Sequence, residues 1–229
     1  MDFLTLFAYC LPILLLIALI RNTGKKAVLF LVWGCIAAIL AAFLLHLIFP
    51  VFQEIVFQEI TISPVIEELF KAFPLLFLAR AQDKTSNRDI LACSLASGIG
   101  FSLVETGLLL NPGLLGLSPA SGTTHVYGFF DVLTRSFSTT LMHGCTTGLI
   151  GLGIVLFRGF DRKALPALLL GFYTIAVTIH AFYNLNYYYF GLAGLIADFL
   201  IPIFLFVFLL ECYSENISHF LEKENTKGP

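Results

Sequence analysis

The sequence predicts an all-α fold: a polytopic helical membrane protein with about seven transmembrane helices. Three observations lead there. Hydrophobic residues make up 58% of the 229-residue chain, and mean hydropathy is +0.91. Charged residues make up only 12%, against roughly 25% in a soluble domain, so most of the length belongs in lipid. Apolar runs recur at 3–20, 27–49, 62–79, 90–110, 133–157, 164–189 and 191–210, most of them near the roughly 20 residues a helix needs to cross a bilayer core.

The first run follows Asp2, has no basic region before it and shows no A-x-A-like cleavage site, so it reads as a retained span rather than a signal peptide. Residues 51–60, VFQEIVFQEI, repeat a five-residue unit and suit a helix or turn in the outer interface; no chemistry is assigned to Glu54 or Glu59. The third run is short and contains Pro74, so it is expected to kink or to cross incompletely. The fourth carries Ser94, Ser97, Gly98, Gly100 and Ser102, small residues that let helices approach closely. The tail from Glu211 onward is polar and reads as a fraying helix.

Basic residues set the orientation. Arg21, Lys25 and Lys26, then Arg80, Lys84 and Arg88, then Arg158, Arg162 and Lys163, then Lys223 and Lys227 fall on alternate connections. The opposite connections, near 50–61, 111–131 and 190, hold no Lys or Arg. The N-terminus is therefore expected outside and the C-terminus in the cytoplasm. A net charge of -2 gives no reason to invoke nucleic acid. The five cysteines (Cys10, Cys35, Cys93, Cys145, Cys212) lack metal or disulfide spacing and read as small apolar residues.

Ionisable side chains inside spans are costly and usually face a bundle interior or cavity. Span three reads SPVIEELFK. Ser63 is placed to cap its helix, with Pro64 in the first turn. Lys71, four residues after Glu67 and three after Glu68, can reach either. One ammonium neutralises one carboxylate, which leaves the other uncompensated, as a general base or acid requires. A structural ion pair is the competing reading. Glu105, in FSLVE near the outer end of span four, reads equally as an interfacial residue. On span five, Arg135, Thr139, His143 and Thr147 form a polar stripe beside the small stripe Ser136, Thr140, Gly144 and Gly148, and Asp131 is placed to pair with Arg135. His180 and Asn184 share a face of span six, where Asn184 could orient the imidazole or donate to an oxyanion. For both histidines, a helix-to-helix hydrogen bond is the simpler reading. Asp198 has no local partner and reads as structural; His46, His125 and His219 lie at span ends or in loops and read as solvated.

Depth links these residues. Glu67, Glu68, Glu105 and Asn184 lie roughly 6–9 Å below the outer ends of their spans, and His143 and His180 roughly 13–15 Å, at 1.5 Å per residue. Independent structural residues need not agree in depth, so agreement across four helices predicts one water-accessible site. Such a site suits peptide hydrolysis. Glu67 or Glu68 would deprotonate water, His143 or His180 would orient it or protonate the leaving amine, and Asn184 would face the oxyanion. A metal version, with Glu105, His143 and His180 as ligands, would follow the His₂Glu pattern of catalytic zinc. The H-E-x-x-H signature is absent.

EELFK (Glu67 to Lys71), FSLVE (Phe101 to Glu105), the Arg135-to-His143 stretch and HAFYN (His180 to Asn184), in that order on successive spans, resemble the PrsW family of bacterial intramembrane proteases. That family is related to the CAAX prenyl endopeptidases and bacteriocin-processing enzymes. The resemblance covers spans three to six. It implies an endopeptidase cutting membrane-anchored protein substrates, such as an anti-sigma factor, with Glu67, Glu68, Glu105, His143 and His180 in the site. Thr106 follows Glu105 where the family pattern has Asn. The family is classed as metallopeptidase, while its relatives support a metal-free glutamate mechanism. Lys71 beside the pair would oppose a bound cation, which favours no cofactor over a divalent ion such as zinc. Lys71 and Arg135 are read as supporting residues.

On this reading the chain divides into two N-terminal helices and an interfacial segment (1–60), a protease core built on four helices (61–190), and a last helix with its tail (191–229). A proton- or ion-coupled transporter is the rival function. It calls for a polar path through both membrane halves, whereas the inner halves of these spans are nearly all apolar and no inverted repeat is evident. A non-catalytic scaffold of the same fold is the third reading.

Overall fold

The computed structural model describes residues 9, 12–15, 17, 25–52, 58–80, 85–110, 135–157 and 163–213. Among them, every regular element is a helix: α1 (Lys25–Ile48), α2 (Gln58–Thr61), α3 (Ser63–Ala72), α4 (Leu75–Arg80), α5 (Asn87–Leu110), a π-helical turn (Arg135–Thr139) running into α6 (Thr140–Leu156), α7 (Leu165–Tyr189) and α8 (Gly191–Tyr213). Five of these helices, α1, α5, α6, α7 and α8, are long and apolar enough to cross a membrane. The architecture is all-α and polytopic. Of the expected first span, the described residues 9, 12–15 and 17 are helical. Glu54, His125, Asp131 and His219 lie outside the described residues.

The expected third span is divided at Pro74. Phe73 N–H still bonds Leu69 O at 3.1 Å, but Pro74 has no N–H to offer the Phe70 carbonyl. The Trp33 indole N–H fills that vacancy, donating to Phe70 O at 2.9 Å. A partly buried carbonyl freed by proline thus gains a partner from another helix. The two pieces, α3 and α4, have ten and six residues, too few to cross a hydrocarbon core about 30 Å thick at 1.5 Å per residue.

The start of α3 also differs from expectation. Ile62 is already helical and its N–H bonds Gln58 O, so α2 leads almost directly into α3. Ser63 therefore makes no capping hydrogen bond and gives its hydroxyl to Glu67 instead.

Helices α5 and α6 form the centre. Their spans are 83% and 94% buried, against 33%, 11% and 22% for α1, α7 and α8. Small residues make this possible. A Cβ on Gly98 of α5 would stand 2.0 Å from the His143 carbonyl oxygen of α6, and one on Gly34 of α1 would stand 2.0 Å from the Ser97 oxygen of α5. Only hydrogen fits at either contact. Ile90, Leu91, Ala96, Cys145 and Ile154 fill the core around them, while Leu170, Phe182, Leu200 and Phe204 of α7 and α8 face outward.

Candidate active site

Four helices meet around Lys71. From α3 come Glu67, Glu68 and Lys71, from α5 Phe101 and Glu105, from α6 His143 and Thr146, and from α7 His180. Glu68 and Lys71 are fully buried, one helical turn apart on α3, and pair at 2.6 Å. The same carboxylate oxygen, Glu68 Oε1, accepts from the Thr146 hydroxyl at 3.0 Å and faces His180 Nδ1 at 2.9 Å. Lys71 Nζ also stands 2.6 Å from His143 Nδ1 and 4.8 Å from the Phe101 ring centroid. On the far side of that imidazole, His143 Nε2 lies 2.5 Å from Glu105 Oε2. The two imidazoles meet edge to face with centroids 4.9 Å apart.

These contacts are consistent with one set of tautomers. An ammonium can only donate, so Lys71 occupies the His143 Nδ1 lone pair and Nε2 carries the hydrogen that Glu105 accepts. A carboxylate can only accept, so a neutral His180 imidazole donates from Nδ1 to Glu68 and turns its Nε2 lone pair the other way. That lone pair faces Glu67 Oε2 across 3.6 Å. Glu67 is held by Ser63, yet its Oε2 is buried with no hydrogen-bond partner among the described residues, as is Glu68 Oε2. Two acceptors thus face one another across a gap that only a donor can bridge.

Of the residues singled out in the sequence, Glu67, Glu68, Lys71, Glu105, His143 and His180 come together. Asn184 does not join them: its amide donates to the Glu59 carbonyl at 2.8 Å, tying α7 to α2. Arg135 opens the π-helical turn; its side chain lies outside the described residues. That turn breaks the four-residue stripe on span five. Thr139 reaches the Tyr183 hydroxyl at 3.0 Å, while Thr147 returns its hydroxyl to the His143 carbonyl. Thr146, three residues after His143, is the partner that sequence reasoning missed. The i, i+3 relation to a singled-out histidine was the available signal.

A metal ion would find one group of converging ligands, Glu67, His143 and His180, whose ligand atoms lie within 4.8 Å of one another. Glu67 stands in it where the sequence suggested Glu105, which lies beyond His143. Glu67 Oε2 and His180 Nε2 are free to ligate. At His143, Lys71 beside Nδ1 and Glu105 beside Nε2 compete with an ion for the imidazole, so an ion held by all three ligands would displace one of those contacts.

The fold and this cluster define a helical membrane protein with a buried carboxylate–imidazole–ammonium site. The family model described as PrsW family intramembrane metalloprotease matches residues 23–210, and the chain belongs to that family. It is an integral membrane protein of an intramembrane protease family. No curated protein and no solved structure gives a match.

Proposed function

We propose that this protein is an intramembrane endopeptidase of the glutamate type, hydrolysing peptide bonds of membrane-anchored proteins in the outer half of the bilayer, with Glu67 as the base. The observation that carries the reading is the 3.6 Å gap between Glu67 Oε2 and His180 Nε2. A single water bound beside these two atoms, within hydrogen-bond reach of both, donates one hydrogen to each and presents its lone pair to a substrate carbonyl. Glu67 takes the proton as the oxygen adds to the carbonyl carbon. It returns that proton to the amine nitrogen as the C–N bond breaks, so the water is divided between the new acid and the new amine. His180 aims the water and is itself aimed by Glu68. Lys71 anchors Glu68 and, through His143, connects to Glu105. The proposed orientation, N-terminus outside and C-terminus cytoplasmic, puts this chemistry toward the outer leaflet. An anti-sigma-factor-type protein is the substrate class suggested by the family resemblance.

Co-expression with tagged single-span proteins tests the reading. Wild type is expected to release a fragment, and Glu67→Gln, Glu68→Gln and His180→Ala to release little or none. Unchanged cleavage in all three variants would remove the proposed site.

A further inference from the structure

A second feature lies where α6, α7 and α8 meet. A cavity of about 260 Å³ opens there, lined by Met142 from α6, by Thr178, Ile179, Phe182 and Tyr183 from α7, and by Asp198 and Ile201 from α8, with exposed Thr178 at its mouth. Its wall is almost entirely apolar apart from Asp198. That residue is 1% exposed, and neither carboxylate oxygen has a hydrogen-bond partner among the described residues. The Asn186 side chain is a polar neighbour that interacts with it, but the amide nitrogen falls outside full hydrogen-bond geometry. Phe182 and Ile201, at 49% and 36% exposure, place the mouth on the lipid-facing surface.

From this we infer that the cavity is a recognition pocket for a basic side chain on a partner transmembrane helix, namely the substrate's. The inference rests on the endopeptidase reading above. The chemistry selects the occupant. A carboxyl in hydrocarbon with only a weak amide neighbour, and no cation among the described residues, is costly and calls for a cation or strong donor. Asp198 is seven residues into α8, roughly 10 Å at 1.5 Å per residue, within the hydrocarbon layer rather than at the headgroups. A lipid headgroup does not sit at that depth, and an acyl chain carries no donor. A lysine or arginine on a helix supplies both an apolar stem for the wall and a charged tip for Asp198. The volume also falls below the roughly 300–1,000 Å³ of small-molecule pockets and suits one long side chain. Ile179 and Tyr183 flank His180 on α7, and Met142 adjoins His143 on α6. A helix seated here would therefore lie beside the catalytic layer at its depth.

The test measures binding in an inactive protein. Full-length Glu67→Gln in phospholipid vesicles is titrated with single-span polyleucine helices carrying one lysine, leucine or glutamate at the depth of Asp198, with fluorescence transfer as readout. The lysine helix is expected to bind at least about tenfold tighter than the leucine helix, and adding Asp198→Leu is expected to equalise them. Equal binding of lysine and leucine helices would overturn the inference. So would a lysine preference that survives Asp198→Leu, as it would if Asp198 merely pairs with Asn186. Should Asp198→Leu not fold, Thr178→Trp at the mouth leaves the carboxylate in place and is expected to remove the preference by occlusion; its persistence would count equally against the pocket. Because cleavage is not measured, loss of the endopeptidase reading and loss of the pocket are separate results.

Discussion

Glu67 and Glu68 are adjacent on α3 but stand in two unlike corners of the site. At the Glu68 corner, one carboxylate oxygen meets an ammonium, a hydroxyl and an imidazole, all buried. At the Glu67 corner, one oxygen is held by Ser63 while the other faces His180 Nε2 across 3.6 Å, with no hydrogen-bond partner among the described residues. The first corner is a closed electrostatic clamp joining α3, α6 and α7. The second leaves Glu67 Oε2 without a hydrogen bond among the described residues, and the proposed mechanism gives it the attacking water. On the proposed mechanism, a helix that presents two glutamates in succession assigns one to holding the architecture and one to chemistry, because successive side chains point about 100° apart around the helix axis.

The largest effect comes from breaking the clamp. Glu68→Gln leaves Lys71 buried without its counter-ion and is expected to cost about 3–5 kcal/mol of stability, read as a lowered unfolding midpoint in detergent, with activity lost as well. Adding Lys71→Met is expected to restore much of the stability and none of the cleavage. Breaking the open corner acts differently. Glu67→Gln keeps the packing and is expected to lower the cleavage rate about 10²–10⁴-fold with the unfolding midpoint little changed. If both variants lost stability equally, the contrast between the corners would be wrong.

Smaller effects sharpen the comparison. Gly98→Ala forces a methyl against the His143 carbonyl and is expected to cost about 1–3 kcal/mol, with partial loss of cleavage as α6 moves off α5. Thr146→Val removes one donor from Glu68 and is expected to cost about 1 kcal/mol while leaving most cleavage in place. Both are checked by unfolding and initial rates in the same vesicles.

Much of this was legible in the sequence, for identifiable reasons. Hydropathy marks long apolar helices because lipid leaves little choice of residue, and five of the marked runs are helices of spanning length. The Glu68–Lys71 pair could be anticipated because helical spacing alone brings the two together. Depth alone placed the histidines in one layer with the glutamates. Other features depend on contacts between distant segments. Which glutamate Lys71 takes is decided by His143 and Thr146, more than 70 residues away. Asn184 is drawn to a carbonyl on α2 that no local pattern marks. Pro74 signalled a disturbed third span, but only the Trp33 indole explains how the break is tolerated inside the protein.

The role given to Glu67 is tested most directly by the rate at which purified wild type and Glu67→Gln cleave a single-span substrate in vesicles stripped of divalent metal with a chelator. Undiminished cleavage by wild type, with a loss of about 10²-fold or more in Glu67→Gln, is the expected result. Cleavage that stops with the chelator and returns with zinc, or a Glu67→Gln protein as active as wild type, would contradict it.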